Sequence, residues 1–149
     1  MIHYSYEGQV DFTPAVFASS FDGEALTATN DTVYVFSKDW LNLHSSVYSI
    51  PAKPGTYTAK KIRQIKSEGL VTGADVKNDT LVLCGYNLFN PFLLIIPDEK
   101  KPEIAIRLEL QDLSGVQIEG VAIVNKHEFL ITNEKSSVIQ SLQRIRIQQ

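Results

Sequence analysis

The chain has 149 residues, 14 Lys+Arg against 17 Asp+Glu for a formal charge of −3, 44% hydrophobic residues and one cysteine. A chain of this length buries roughly 68–70% of the surface that its unfolded form exposes, so a single domain can stand on its own core, and a lone Cys84 makes no internal bridge. The balance of charge lacks the basic excess that phosphate neutralisation demands, which excludes a general nucleic-acid binder, and no apolar run approaches the ~20 residues that span a bilayer.

Met1 leads into IHYSYEG, which has neither a basic n-region nor an apolar h-region, so no secretory signal is expected in the chain. Three stretches then align on one another: EALTATNDTVYVFSK from Glu24, TGADVKNDTLVLCGY from Thr72 and EGVAIVNKHEFLITN from Glu119, offset by 48 and 47 residues. In each, a run of alternating small and apolar residues reaches an Asn-X pair and continues as a second, more apolar run. Asn tolerates the positive φ of a type I′ turn, so Asn30-Asp31, Asn78-Asp79 and Asn125-Lys126 predict three tight hairpins. The same recurrence makes the N-glycosylation patterns at Asn30 and Asn78 turn chemistry.

Two more strands are expected after each hairpin. They are 45–51 and 56–65 in the first repeat, 91–97 and 103–110 in the second, and 136–142 and 144–148 in the third. The links from Pro51 to Gly55 and from Pro97 to Pro102 are breaker-rich. Helical spacing of Ile62 and Ile65 competes with a strand over 59–68, but its place opposite the alternating EIAIRLEL favours strand. Four antiparallel strands every ~48 residues match a β-propeller blade. The expected fold is therefore all-β: three four-stranded antiparallel sheets over residues 1–149, in blades at about 21–66, 70–111 and 116–148. A twelve-strand sandwich is the alternative. Propellers close with four to eight blades, so three would form half of a six-bladed ring, completed by a second copy as a homodimer or by the rest of a longer protein.

The strings FDGEALTATNDTVYVFSKDW and VQIEGVAIVNKHEFLITNE resemble the repeat of six-bladed bacterial propellers grouped with SdiA-regulated and phytase esterase-like proteins, whose blades open with a Glu-Gly or Glu-Ala step. The link VYSIPAKPGTYTAKKI is similar to a third-to-fourth strand connection of secreted members. The resemblance covers Phe21 to Gln140 and implies a periplasmic or extracellular setting, calcium, and in some members hydrolase activity. Thr72 departs from the pattern, standing where Glu24 and Glu119 stand in the other repeats.

In a four-strand meander the start of the first strand and the end of the second lie at one end of the sheet. That rule puts Asp22, Asp39, Thr72, Asn87 and Glu134 on one face, together with the candidate ligand-binding residues Glu24, Lys38, Trp40, His44, Tyr86, Phe89, Glu119 and Asn133. Carboxylates brought near a common axis need a cation between them, so Glu24 and Glu119 are candidate ligands for Ca²⁺ or Mg²⁺, with Lys38 as the competing counter-charge and backbone N–H groups as the competing partners. Trp40, Tyr86 and Phe89 are candidate stacking surfaces for a small-molecule, sugar or peptide ligand. His3, His44 and His127 have no zinc spacing, and Gly-x-Ser-x-Gly and Gly-rich phosphate loops are absent from the sequence. Cys84 in LVLCGY reads as a buried, inert thiol, and Lys60, Lys61, Arg63, Lys66, Arg144 and Arg146 as solvated charges on outer strands. The favoured function is a non-enzymatic propeller module for ligand or protein binding. A metal-dependent hydrolase and a fragment of a longer propeller protein are the alternatives.

Overall fold

The computed structural model describes residues 1–14, 16–135 and 138–147. It is all-β: twelve strands in three sheets and a single 3₁₀ turn, Gln111–Leu113, with no α-helix among the described residues. The chain divides into two compact units, Met1–Val71 and Thr72–Gln149.

The first unit holds β1 (Ile2–Tyr6), β2 (Asp22–Ala28), β3 (Thr32–Lys38), β4 (Ser45–Pro51) and β5 (Gly55–Ile65). Strands β2 to β5 form the expected antiparallel meander, and 59–65 is strand rather than helix. No strand was expected at Ile2–Tyr6. It pairs in parallel with β5, giving the sheet order β1-β5-β4-β3-β2. Although β1 and β2 are opposite edges of this sheet, the Tyr6 hydroxyl crowds the place where a Cβ on Gly23 would sit, so the sheet curls until its edges approach. Glycine at 23 makes that approach sterically possible. Tyr6, Val35, Tyr48, Ile50 and Ala59 fill the concave side, with Tyr6 against Tyr48 at a centroid distance of 4.6 Å. Burial raises the Tyr6 phenol well above its ordinary pKa, with the hydrogen bond to Tyr4 adding to the shift.

The second unit contains most of β6 (Leu70–Lys77), with β7 (Thr80–Asn87), β8 (Asn90–Ile96) and β9 (Ile106–Glu109) in a four-stranded sheet. A three-stranded sheet follows from β10 (Ile118–Asn125), β11 (Glu128–Asn133) and β12 (Leu142–Arg146). Val82, Cys84, Leu93, Ile118, Phe129 and Ile131 pack between these two sheets. Period-two alternation explains why: Phe129 and Ile131 point inward, while Glu128, Leu130 and Thr132 take the other face of β11.

Side chains of β6 reach across to the main chain of β10. The Thr72 hydroxyl donates to the Ile118 carbonyl, Asp75 Oδ2 accepts the Ile123 N–H at 2.7 Å, and Lys77 Nζ donates to the Val124 carbonyl at 2.8 Å. These links join residues 46, 48 and 47 positions apart, the spacing of the sequence repeat.

Two expectations need correction. The third sheet lacks the anticipated fourth strand: residues 138–141 form none, and β12 pairs directly with β11, while positions 136, 137 and 148 lie outside the described residues. The reason is local, since Asn133 Oδ1 accepts both the N–H and the hydroxyl of Ser141 and its amide donates to the Glu134 and Ile139 carbonyls, which closes this segment into a loop. The sheets are thus five-, four- and three-stranded. Of the three Asn-X hairpins, Asn78-Asp79 has the positive φ values of a type I′ turn, 51° and 62°. The others are held by side chains instead: Asp31 Oδ1 accepts from the Thr29 and Thr32 hydroxyls, and Asn125 Oδ1 accepts the His127 N–H at 3.0 Å.

Candidate functional site

Glu24 lies at a β-bulge. Gly23 pairs with Ser37 and Ala25 with Phe36, which leaves Glu24 as the extra residue of β2. Glu119 occupies the same place in β10, between the pairs Ile118–Asn133 and Gly120–Thr132. A bulge bends its strand and re-aims one side chain, and bulges concentrate next to functional sites. The Glu-Ala and Glu-Gly steps of the sequence therefore mark two equivalent bulges.

In the first unit the bulge sends the Glu24 carboxylate to within 3.6 Å of Lys38 Nζ. Lys38 is buried, 6% exposed, and its ammonium sits 4.8 Å from the centroid of the Trp40 ring. Burying a cation is costly unless charge and π density offset the lost hydration, and Glu24 and Trp40 supply both. The Trp40 indole N–H donates to Asp22 Oδ2 at 3.1 Å, and Phe17 packs edge-on against the indole at 4.8 Å. These groups border an open cleft of about 530 Å³, whose remaining wall comes from described residues between Gln9 and Ser19, including Asp11 and Phe12.

Asp39 fixes the loop behind the tryptophan. Its Oδ1 accepts from the Ser20 hydroxyl at 2.8 Å and from the Leu41 and Asn42 N–H groups at 3.0 Å, and its Oδ2 from the Asn42 amide at 3.0 Å. Burial opposes the charge, but these donors outweigh it and hold the carboxyl below the usual aspartate pKa. The main-chain N–H of Trp40 donates to the Ser19 carbonyl, so both ends of this corner are tied down. Glu24, Lys38 and Trp40 thus share one cleft. His44 does not line it; it ends the same loop, with a buried Nδ1 that has no hydrogen-bond partner among the described residues.

The remaining candidates belong to the second unit. Tyr86 is buried and stacks on the half-exposed Phe89, with centroids 6.3 Å apart and planes 8° from parallel, and Gln117 donates to the Tyr86 hydroxyl. Phe89 sits in a two-residue turn with Leu88, both at positive φ. Asn133 is committed to the loop bonds already described. Glu119 lies beside Cys84, whose thiol burial pushes up to about 12, so this cysteine carries no nucleophilic thiolate at neutral pH. Among the described residues no group of three or more His, Cys, Asp or Glu side chains converges as a metal site.

Asp22 lines the cleft, as its place at the start of the first strand implied, whereas sequence reasoning missed Asp11 and Phe17. Both come from a segment without periodicity, whose return onto β2 has no local signal. No protein-family model matches the chain, and neither does any curated protein.

Proposed function

We propose that this protein is a non-enzymatic β-propeller-type recognition module that binds a sugar-like or peptidic ligand in the first-unit cleft, with its ring of blades completed by a second copy of the chain. The observation that carries the reading is the bulge at Glu24, which aims a strand carboxylate into the group formed by Lys38, Trp40 and Asp22. A flat indole held by Asp22 and Lys38 offers an apolar stacking face, and Asp11, Asp22 and Glu24 offer acceptors to hydroxyl or amide donors around it. The resemblance to secreted bacterial propellers agrees with this assignment. The hydrolase reading draws no support from the geometry at Glu24, which is turned to a lysine.

Trp40 is the sole tryptophan, so its fluorescence reports on this cleft alone. Titration with a panel of oligosaccharides and short peptides is expected to give a saturable emission change that Glu24→Gln weakens and Trp40→Phe reduces in affinity when followed by calorimetry. A panel in which no ligand perturbs Trp40, or in which the perturbing ligand binds Glu24→Gln and Trp40→Phe unchanged, overturns the reading. Sedimentation tests the ring separately: two copies of a 16.7 kDa chain are expected, and a monomer at micromolar concentration refutes completion by a second copy.

A further inference from the structure

A second hollow opens in the other compact unit, at the end of its sheets remote from Tyr86. The Asn78-Asp79 turn and the Lys126-His127 turn stand on either side of a cleft of about 580 Å³, within the range of small-molecule sites. Its floor is apolar: Ile95, Ile123, Phe129 and Ile147, with Ile106 and Pro97 on the flank. Protein interiors pack without voids much larger than a water molecule, so an apolar hollow of this size between two sheets of one unit is shaped for an occupant.

The rim gives the occupant's charge. Lys77 and Lys126 both line the mouth, and among the described residues no carboxylate does. Lys77 is held in place by the Val124 carbonyl, and Lys126 is exposed at the tip of its turn. Of the nearby carboxylates, Asp75 accepts the Val76 and Ile123 N–H groups, Glu128, on the opposite face of β11 from Phe129, pairs with Arg144 and Arg146, and Asp79, exposed in its turn, does not line the cleft. A cation entering here would lose hydration against apolar walls and meet two ammonium groups, whereas an anion gains from both.

We propose that this cleft binds an amphipathic carboxylate, an apolar chain or ring lying on Ile95, Ile123 and Phe129 with its carboxylate between Lys77 and Lys126. The site is independent of the Trp40 cleft and stands or falls separately from it.

The test uses amide-resolved NMR of the full chain titrated with sodium decanoate below its micelle concentration, with decyltrimethylammonium in parallel. Decanoate is expected to shift the amides of 77–80, 95–96 and 123–129 saturably and to bind about tenfold more tightly than the cation. Lys126→Glu, at an exposed position, is expected to weaken decanoate about fivefold. Ile106→Glu, also exposed, is expected to weaken both probes. Shifts confined to other amides, equal affinity for the two probes, or a Lys126→Glu variant that binds decanoate as the parent does would each overturn the proposal.

Discussion

Gly73 of β6 faces Gly120 of β10, and a single methyl group tests how tight that approach is. A Cβ on Gly73 would lie 2.7 Å from Cys84 Sγ, 3.0 Å from the Gly120 Cα and 3.1 Å from the Glu119 carbonyl oxygen. Carbon contacts relax at about 3.5–4.0 Å, so two strands of main chain, not one side chain, must separate by several tenths of an ångström. Overpacking of this kind costs about 1–3 kcal/mol, and reduced freedom of the unfolded chain returns about 0.4–1 kcal/mol, which leaves Gly73→Ala less stable by about 1–2 kcal/mol. At about 2–4 °C per kcal/mol the melting temperature falls by roughly 2–8 °C. Gly120→Ala is the control, since its new methyl meets only the Thr132 hydroxyl, which can rotate away, and its cost is expected to be about 0.5 kcal/mol or less. Urea unfolding followed by far-ultraviolet circular dichroism reads both. A Gly73→Ala midpoint equal to that of the parent, or a larger loss at Gly120, would refute the argument from strand proximity.

The remaining predictions address charge and strain. Cys84, held protonated in the fold up to about pH 12, is expected to resist iodoacetamide at pH 8 until urea unfolds the second unit; prompt labelling of native protein would contradict its burial. Because the folded thiol and the Tyr6 phenol both keep their protons to higher pH than the unfolded chain does, stability is expected to decline as pH rises above about 9, which an alkaline melting series measures. The Asp39 carboxyl is shifted the other way, so its contribution is present above the ordinary aspartate pKa of 3.8 and disappears as pH falls through its lower folded value. Asp39→Ala is expected to cost about 2 kcal/mol at pH 7 and to remove part of that acid dependence; equal acid profiles for parent and variant would count against the loop anchor. Leu88 and Phe89 hold φ of 47° and 62°, a region disfavoured for both. Replacing the pair by Asn-Gly is expected to stabilise the protein by about 1–2 kcal/mol, with an unchanged or lowered melting temperature as the adverse result.

Most of the architecture was legible because the hairpins repeat. The offsets between Glu24, Thr72 and Glu119 located three sheets, and alternation located most strands within them. What escaped depended on partners distant in sequence. The strand at Ile2–Tyr6 exists because β5 offers an edge and Gly23 offers room for tyrosine hydroxyls, and neither condition is visible in IHYSY. The lack of a fourth strand among the described residues of the third sheet was hidden in the same way, since SSVIQSL alternates acceptably while the valences of Asn133 are spent on Ile139 and Ser141. The turn at Leu88-Phe89 carries no Gly or Asn at its two central positions, so local chemistry gave no notice of its type. At the site, Glu24, Lys38 and Trp40 line one cleft, a neighbourhood that strand direction alone implies. The bulges that orient Glu24 and Glu119 required the pairing register, and the amphipathic hollow required seeing that two turns stand opposite each other.

The tethers from β6 end on carbonyl and amide groups of β10 rather than on its side chains. The recipient strand is therefore free to exchange nearly all of its side chains without loosening the joint, yet it cannot slip by one position, and proline is barred at 123, where the donor hydrogen is needed. Drift in composition is cheap at such a seam and drift in length is not, so related chains should diverge in spelling there while keeping count.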